Sequence, residues 1–158
     1  MNPGWIEPDW PAPTGIRAVS TLRSGGVSQG PYASLNLGNH VGDDEAAVAA
    51  NRRCLNLALT LPSEPVWLTQ IHGRGVIRIG QEEGLDPVPV ADAAFTGEQG
   101  VVCAVMTADC LPVLLCSADG SSVAAIHADW RGLVGGVVEA TLEQMDDRPE
   151  QGTYCLAL

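Results

Sequence analysis

Three histidines are the only imidazoles in this chain of 158 residues, so each can be weighed as a ligand or a base. His127 lies in an apolar run over residues 123–128, and Cys110 directly precedes a second run over residues 111–116. Between the runs, Asp119-Gly120 is a two-residue hairpin signal. If that pair centres the turn, opposed residues sum to 239, which sets His127 against Pro112. Cys110 is then the diagonal neighbour of His127 on the same face, about 7–8 Å away between backbones. A thiolate about 2.3 Å and an imidazole nitrogen about 2.0 Å from zinc bridge such a gap. His72 is the candidate third ligand; His40, in the loop over residues 38–42, is the remaining imidazole. Three protein ligands leave a fourth position for water, the pattern of a catalytic zinc, and the ion makes that water acidic enough to attack at neutral pH. Periodicity also fits Cys110 as a small buried hydrophobe and His127 as a satisfied core histidine, and it does not choose between these readings. A metal-free alternative makes Cys110 a nucleophile activated by His127 or His72.

Charged residues give a second signal. Arg131 sits at the amino end of the last predicted helix, where main-chain N–H groups and the helix dipole favour an anion. Arg23 opens a glycine-rich loop and Arg74 follows His72 by two residues, so a phosphate or ribose site and a set of solvated surface charges are both open readings. Asn36 is a substrate contact or a local turn cap. Asp92 and Asp109 stand in apolar settings, where a carboxylate orients a ligand histidine, acts as a base, or serves as a turn residue. Cys54, Cys103, Cys116 and Cys155 follow apolar patterns and read as packing residues.

The elements that must position these groups follow from pattern. Residues 44–59 read as an amphipathic helix opened by acids and closed by Pro62. Residues 66–72 alternate as a strand that places Gln70 and His72 on one face. Gly73-Arg74-Gly75 turns into a strand over 76–79, and 80–91 reads as loop. Residues 101–106, 111–116 and 123–128 are strand candidates, 132–145 a helix, 16–21 a short strand, and 154–158 the opening of a buried strand. The first thirteen residues, with four prolines, read as a lead-in segment. The length suits a single domain over residues 1–158, read as part of a longer family domain. Eight Lys+Arg against 19 Asp+Glu give a net charge of −11, which argues against a nucleic-acid partner. With no leader-like start, no apolar stretch long enough to span a membrane and five scattered cysteines, the expectation is a soluble, cytoplasmic protein with reduced thiols.

Six ordered motifs carry a family likeness: Thr21-Leu22-Arg23-Ser24-Gly25-Gly26-Val27-Ser28, Ser34-Leu35-Asn36-Leu37-Gly38, Trp67-Leu68-Thr69-Gln70-Ile71-His72-Gly73, Ala91-Asp92-Ala93, Thr107-Ala108-Asp109-Cys110-Leu111-Pro112 and His127-Ala128-Asp129-Trp130-Arg131-Gly132-Leu133. Together they resemble the multicopper polyphenol oxidoreductase (laccase-like), or peptidoglycan editing factor, family. The resemblance implies an α/β fold, a four-layer αββα sandwich with mixed sheets, here incomplete at the carboxy end. It implies one Zn²⁺ on His72, Cys110 and His127, and two reactions of purine nucleosides. These are deamination of adenosine, and phosphorolysis of adenosine, inosine, guanosine or methylthioadenosine with Arg23 and Arg131 holding phosphate. On this reading Cys110, Asp109 and Arg131 are the catalytic candidates, and Arg23, Asn36, Gln70 and Arg74 the substrate-binding ones. The family name also raises copper, since two His and one Cys form a blue-copper set. Three histidines are too few for a mononuclear site plus a trinuclear cluster. A cysteine hydrolase that edits peptidoglycan precursors is the further alternative. Asp129 stands where the family usually has Gly, and the family's longer carboxy-terminal part would begin near Leu158.

Overall fold

The computed structural model describes residues 3–81, 87–145 and 154–157. Part of the expected 80–91 loop and Leu158, the end of the expected last strand, lie outside them. Together these residues form a mixed α/β arrangement with two sheets and three α-helices. Backbone contacts divide the chain into two compact units, Met1–Pro8 with Val19–Glu64, and Asp9–Ala18 with Pro65–Leu158. Among the described residues no helix is long and apolar enough to cross a membrane.

In the first unit β1 (Trp5–Ile6) pairs antiparallel with β2 (Ser20–Thr21). The expected strand over 16–21 thus contracts to two residues, and its partner comes from the proline-rich lead-in, where edge pairing asks little of the backbone donors. Helix α1 (Glu45–Leu59) starts where the Asp44 carboxylate accepts the Ala47 N–H at 2.8 Å and stops at Thr60, which is left-handed at φ 52. Its inner face carries Val48, Leu55 and Leu59 and also Asn51, which is fully buried. The Asn51 amide accepts from Val27 N–H and donates to Ser28 Oγ, Ser34 O and Asn36 O, tying the glycine-rich segment to the helix. A Cβ at Gly26 would collide with the Ser34 carbonyl and with Asn51 Oδ1, so this backbone packs where no side chain fits.

The second unit is built on one mixed sheet in the order β3-β4-β6-β5-β7. Its strands are β3 (Val76–Arg78), β4 (Ala93–Thr96), β5 (Leu111–Ser117), β6 (Val123–Ala128) and β7 (Tyr154–Ala157). Only β3 and β4 run parallel. Leu156 of β7 is exposed, unlike the buried strand expected there. Alternation sorts β4 and β6: Ala93, Phe95, Ala124, Ile126 and Ala128 join Val113, Leu115 and Val137 in one core, while Ala94 joins Leu68, Ile79 and Ala91 on the opposite face. Val101, Cys103 and Val105 pack against that second cluster, yet among the described residues they form no strand and pair through a single bridge, Cys103 to Val66. The expected strand over 66–72 is likewise reduced to isolated bridges at Val66 and Thr69. The expected helix over 132–145 divides into α2 (Trp130–Gly135) and α3 (Val137–Met145), because Gly136 adopts φ 83 and closes α2 with N–H bonds back to Gly132 and Leu133.

Candidate metal centre

The open end of the β5–β6 hairpin brings the chemistry together. Pro112 faces His127 in the observed register, and Cys110 directly precedes β5. The turn is wider than two residues, closing with Ser117 N–H to Ser122 O at 3.0 Å, but it extends symmetrically and so preserves the pairing. His72 arrives from a bend rather than a strand end and is left-handed at φ 60. One ligand atom from each of His72, Cys110 and His127 lies within 4.8 Å of the others. The two imidazoles meet edge to face, centroids 4.8 Å apart at 75°. His127 is buried, Cys110 half-buried and His72 exposed, so the group opens to solvent on the His72 side. A sulfur and two ring nitrogens converging in this way could hold a zinc or copper ion.

Asp92 completes the cluster. It is fully buried immediately before β4, and the β4–β6 pairing continues through it, His127 N–H bonding Asp92 O at 2.7 Å. Its Oδ1 lies 2.9 Å from His127 Nδ1 and 2.9 Å from the His72 N–H. Its Oδ2 accepts from Gly73 N–H at 2.8 Å and Ile71 N–H at 3.3 Å. Burial pushes this carboxyl up, but the His127 bond and the Gly73, His72 and Ile71 donors outweigh it and hold the group below its ordinary value.

The Cys110 thiol is held above its ordinary value, first by desolvation and then by the negative charge of Asp109 and Asp129. That is the wrong direction for a free thiolate nucleophile; a bound cation would reverse it. Asp109 Oδ1 is 3.8 Å from the Cys110 sulfur. Asp129 is the N-cap of α2, accepting Gly132 N–H at 2.7 Å and Arg131 N–H at 3.2 Å. Burial raises its carboxyl, while those donors and the nearby His72 and His127 bring it below its ordinary value. An open cleft of about 510 Å³ runs past His72, Cys110, Asp109, Asp129, Trp130 and Arg131.

The other candidate residues are placed as follows. Arg131 is exposed on the cleft wall, its guanidinium 5.3 Å from the Trp130 ring centroid. Arg74 reaches the Gly135 carbonyl at 3.4 Å. Gln70 exchanges two 2.7 Å hydrogen bonds with the main chain of Met106, fastening the segment before His72 to the segment before Cys110. Arg23 and Asn36 belong to the first unit. There Arg23 donates twice to Ala33 O, and Asn36 spans Gly38 and Asp43. Among the packing cysteines, Cys116 is buried and burial pushes the Cys103 thiol up to about 12; the Cys155 side chain lies outside the description. The reach of Asp92 to residues 71–73 is what sequence reasoning missed. Its only trace was an acid in an apolar stretch.

Comparison with known proteins gives consistent findings. The model of the family described as multi-copper polyphenol oxidoreductase laccase matches residues 17–157. The chain is 52% identical over 145 residues to the purine nucleoside phosphorylase YfiH of Escherichia coli (strain K12), covering 92% of this chain and 59% of that protein. It is also 52% identical over 147 residues to a purine nucleoside phosphorylase of Pseudomonas aeruginosa, covering 92% and 57%. Among solved structures it is similar to Neisseria meningitidis protein NMB0706, with a TM-score of 0.84 and 47% identity over 95% of this chain and 60% of that one. YlmD from Geobacillus stearothermophilus gives 0.76 and 33% over 87% and 54%. The chain therefore spans rather more than half the length of the relatives it matches.

Proposed function

From membership of the multi-copper polyphenol oxidoreductase family, to which this chain belongs, we propose that the centre at His72, Cys110 and His127 binds Zn²⁺ and serves the phosphorolysis of purine nucleosides. The observation that carries this reading is the convergence of one thiol and two imidazoles beside an open cleft that His72 and Cys110 line, with Asp92 behind them. A zinc ion bound there supplies Lewis acidity and an open coordination position. The protein's own groups supply the rest. Arg131, braced against Trp130, offers a guanidinium to an incoming phosphate. A phosphate oxygen bonds to C1′ of the ribose as the C1′–N9 bond breaks; the bonding pair leaves with the purine, which takes up a proton. On this reading Asp109, one of the two carboxyls lining the cleft, exchanges that proton. In the second reaction of the proposal, water replaces the C6 amino group of adenosine, releasing inosine and ammonia.

The test is chromatography of adenosine incubated with zinc-loaded protein, with and without phosphate, alongside metal analysis of the purified chain. Adenine and ribose 1-phosphate appearing only with phosphate support phosphorolysis, and inosine supports deamination. Neither product in a stoichiometric zinc protein rejects the nucleoside reading. Oxygen-dependent phenol oxidation by the copper-loaded chain selects the oxidase alternative instead. Iodoacetamide separates the cysteine hydrolase: a zinc-bound Cys110 is protected until chelator is added, whereas a free nucleophile alkylates at once.

A further inference from the structure

Asp92 touches the two imidazole residues by different routes. Three main-chain N–H groups converge on its two oxygens, the arrangement of an ionised carboxylate, which only accepts. Facing such an acceptor at 2.9 Å, His127 Nδ1 is the donor, which leaves the Nε2 lone pair as the ring's remaining ligand atom. On its other side the same carboxylate gathers three consecutive main-chain N–H groups, from Ile71, His72 and Gly73. Successive N–H groups around a left-handed residue form a concavity for an anion. Here the anion is the protein's own side chain, and the left-handed residue is His72 itself, a conformation uncommon outside glycine. The carboxylate offsets that cost and fixes the direction in which the His72 side chain leaves the bend.

We infer that Asp92 is the positioning residue for both imidazoles at once, setting the tautomer of His127 through its ring and the presentation of His72 through its backbone. This deepens the zinc reading and rests on it. The arrangement couples two ligands 55 residues apart in sequence to one buried group, so a single substitution disturbs both.

Asp92→Asn keeps the size of the side chain but sets an NH₂ against N–H groups in either orientation: at the Oδ1 position it meets the ring and the His72 N–H, and at the Oδ2 position it meets the Gly73 and Ile71 N–H groups. In the folded variant, zinc affinity measured by competition with a chromogenic chelator should fall about 10–100-fold. Unchanged affinity in the folded variant overturns the inference. Because the variant loses buried hydrogen bonds and folding itself could fail, the second measurement uses the metal-free wild type: long-range ¹⁵N–¹H correlation of the His127 ring. A proton on Nδ1 is expected, and a proton on Nε2 overturns the inference. If the wild type takes up no zinc, the zinc reading fails on its own, while the tautomer still decides whether Asp92 sets the ring.

Discussion

The two ends of the β5–β6 hairpin both use a carboxylate to gather several donors, and they use it differently. At the turn, Asp119 Oδ1 accepts from Ser117 Oγ at 2.7 Å, Ser121 N–H at 2.9 Å and Ser121 Oγ at 2.7 Å, all within two residues along the chain and all exposed. At the open end, the hydrogen-bond partners of the Asp92 carboxylate come from 19 to 35 residues away. There the carboxylate is fully buried. The turn cluster depends on local chain geometry. The open-end cluster exists only when β4 and β6 have paired in register and the 71–73 bend has docked, so its geometry reports the tertiary fold. A site that must hold an ion within a fraction of an ångström belongs at the second kind of place.

The sharpest way to separate the ends is His127→Ala. We expect zinc to fall from stoichiometric to background in metal analysis and phosphorolysis to disappear. Stability should also drop by about 1–3 kcal/mol in urea denaturation, because Asp92 loses a buried partner. Retained stoichiometric zinc would break the assignment of the open end. Next in size is Arg131→Ala, which removes the guanidinium from the cleft wall while its main-chain bond to Asp129 remains. A hydrogen bond to a charged group contributes about 1.5–3 kcal/mol, so KM for phosphate should rise roughly 10–100-fold with zinc content unchanged. A phosphate KM that does not move assigns the anion to another group. Smaller still is Ile126→Val, one residue from His127 but fully buried on the opposite face of β6. It should cost about 0.5–1.5 kcal/mol of stability and leave zinc affinity of the folded protein alone, whereas a change in affinity would mean the two faces are not separable.

How much of this was legible follows the same division. The hairpin register could be read from Asp119-Gly120 and two apolar runs, since a symmetric widening of the turn leaves every opposed pair intact. The α1 boundaries followed from Asp44 and Pro62, again local signals. What could not be read is long-range. Ala93–Thr96 carries no alternation because both of its faces are buried, so β4 leaves no period-two trace. The run at Val101–Val105 is apolar because it packs against a cluster, and apolarity alone does not say whether its backbone pairs. His72 looked like a strand end because its neighbours alternate; it lies instead in a left-handed bend whose N–H bonds Asp92, twenty residues away. The break in the last helix was marked by Gly135-Gly136, whose meaning depends on the φ that Gly136 takes.

The smallest expected effect belongs to the turn, and its pH dependence makes the comparison quantitative. The Asp119 carboxyl is held at about 2, chiefly by the Ser117 hydroxyl and then by the Ser121 N–H and hydroxyl, against an ordinary value of 3.8. A group whose folded value lies below its unfolded one stabilises the fold where it is ionised in both states and loses that contribution as it becomes protonated in both. The Asp119 contribution is therefore fully present above about pH 4, declines as the pH falls toward 2, and is absent below. Asp119→Asn should lower the urea midpoint slightly at pH 6, with zinc content untouched, and the gap from wild type should close as the pH falls from 4 toward 2. A gap that stays constant over that range would show that the turn relies on the shape of residue 119 and not on its charge. A loss of zinc in this variant would show that the two ends of the hairpin are one cooperative structure, against the separation drawn above.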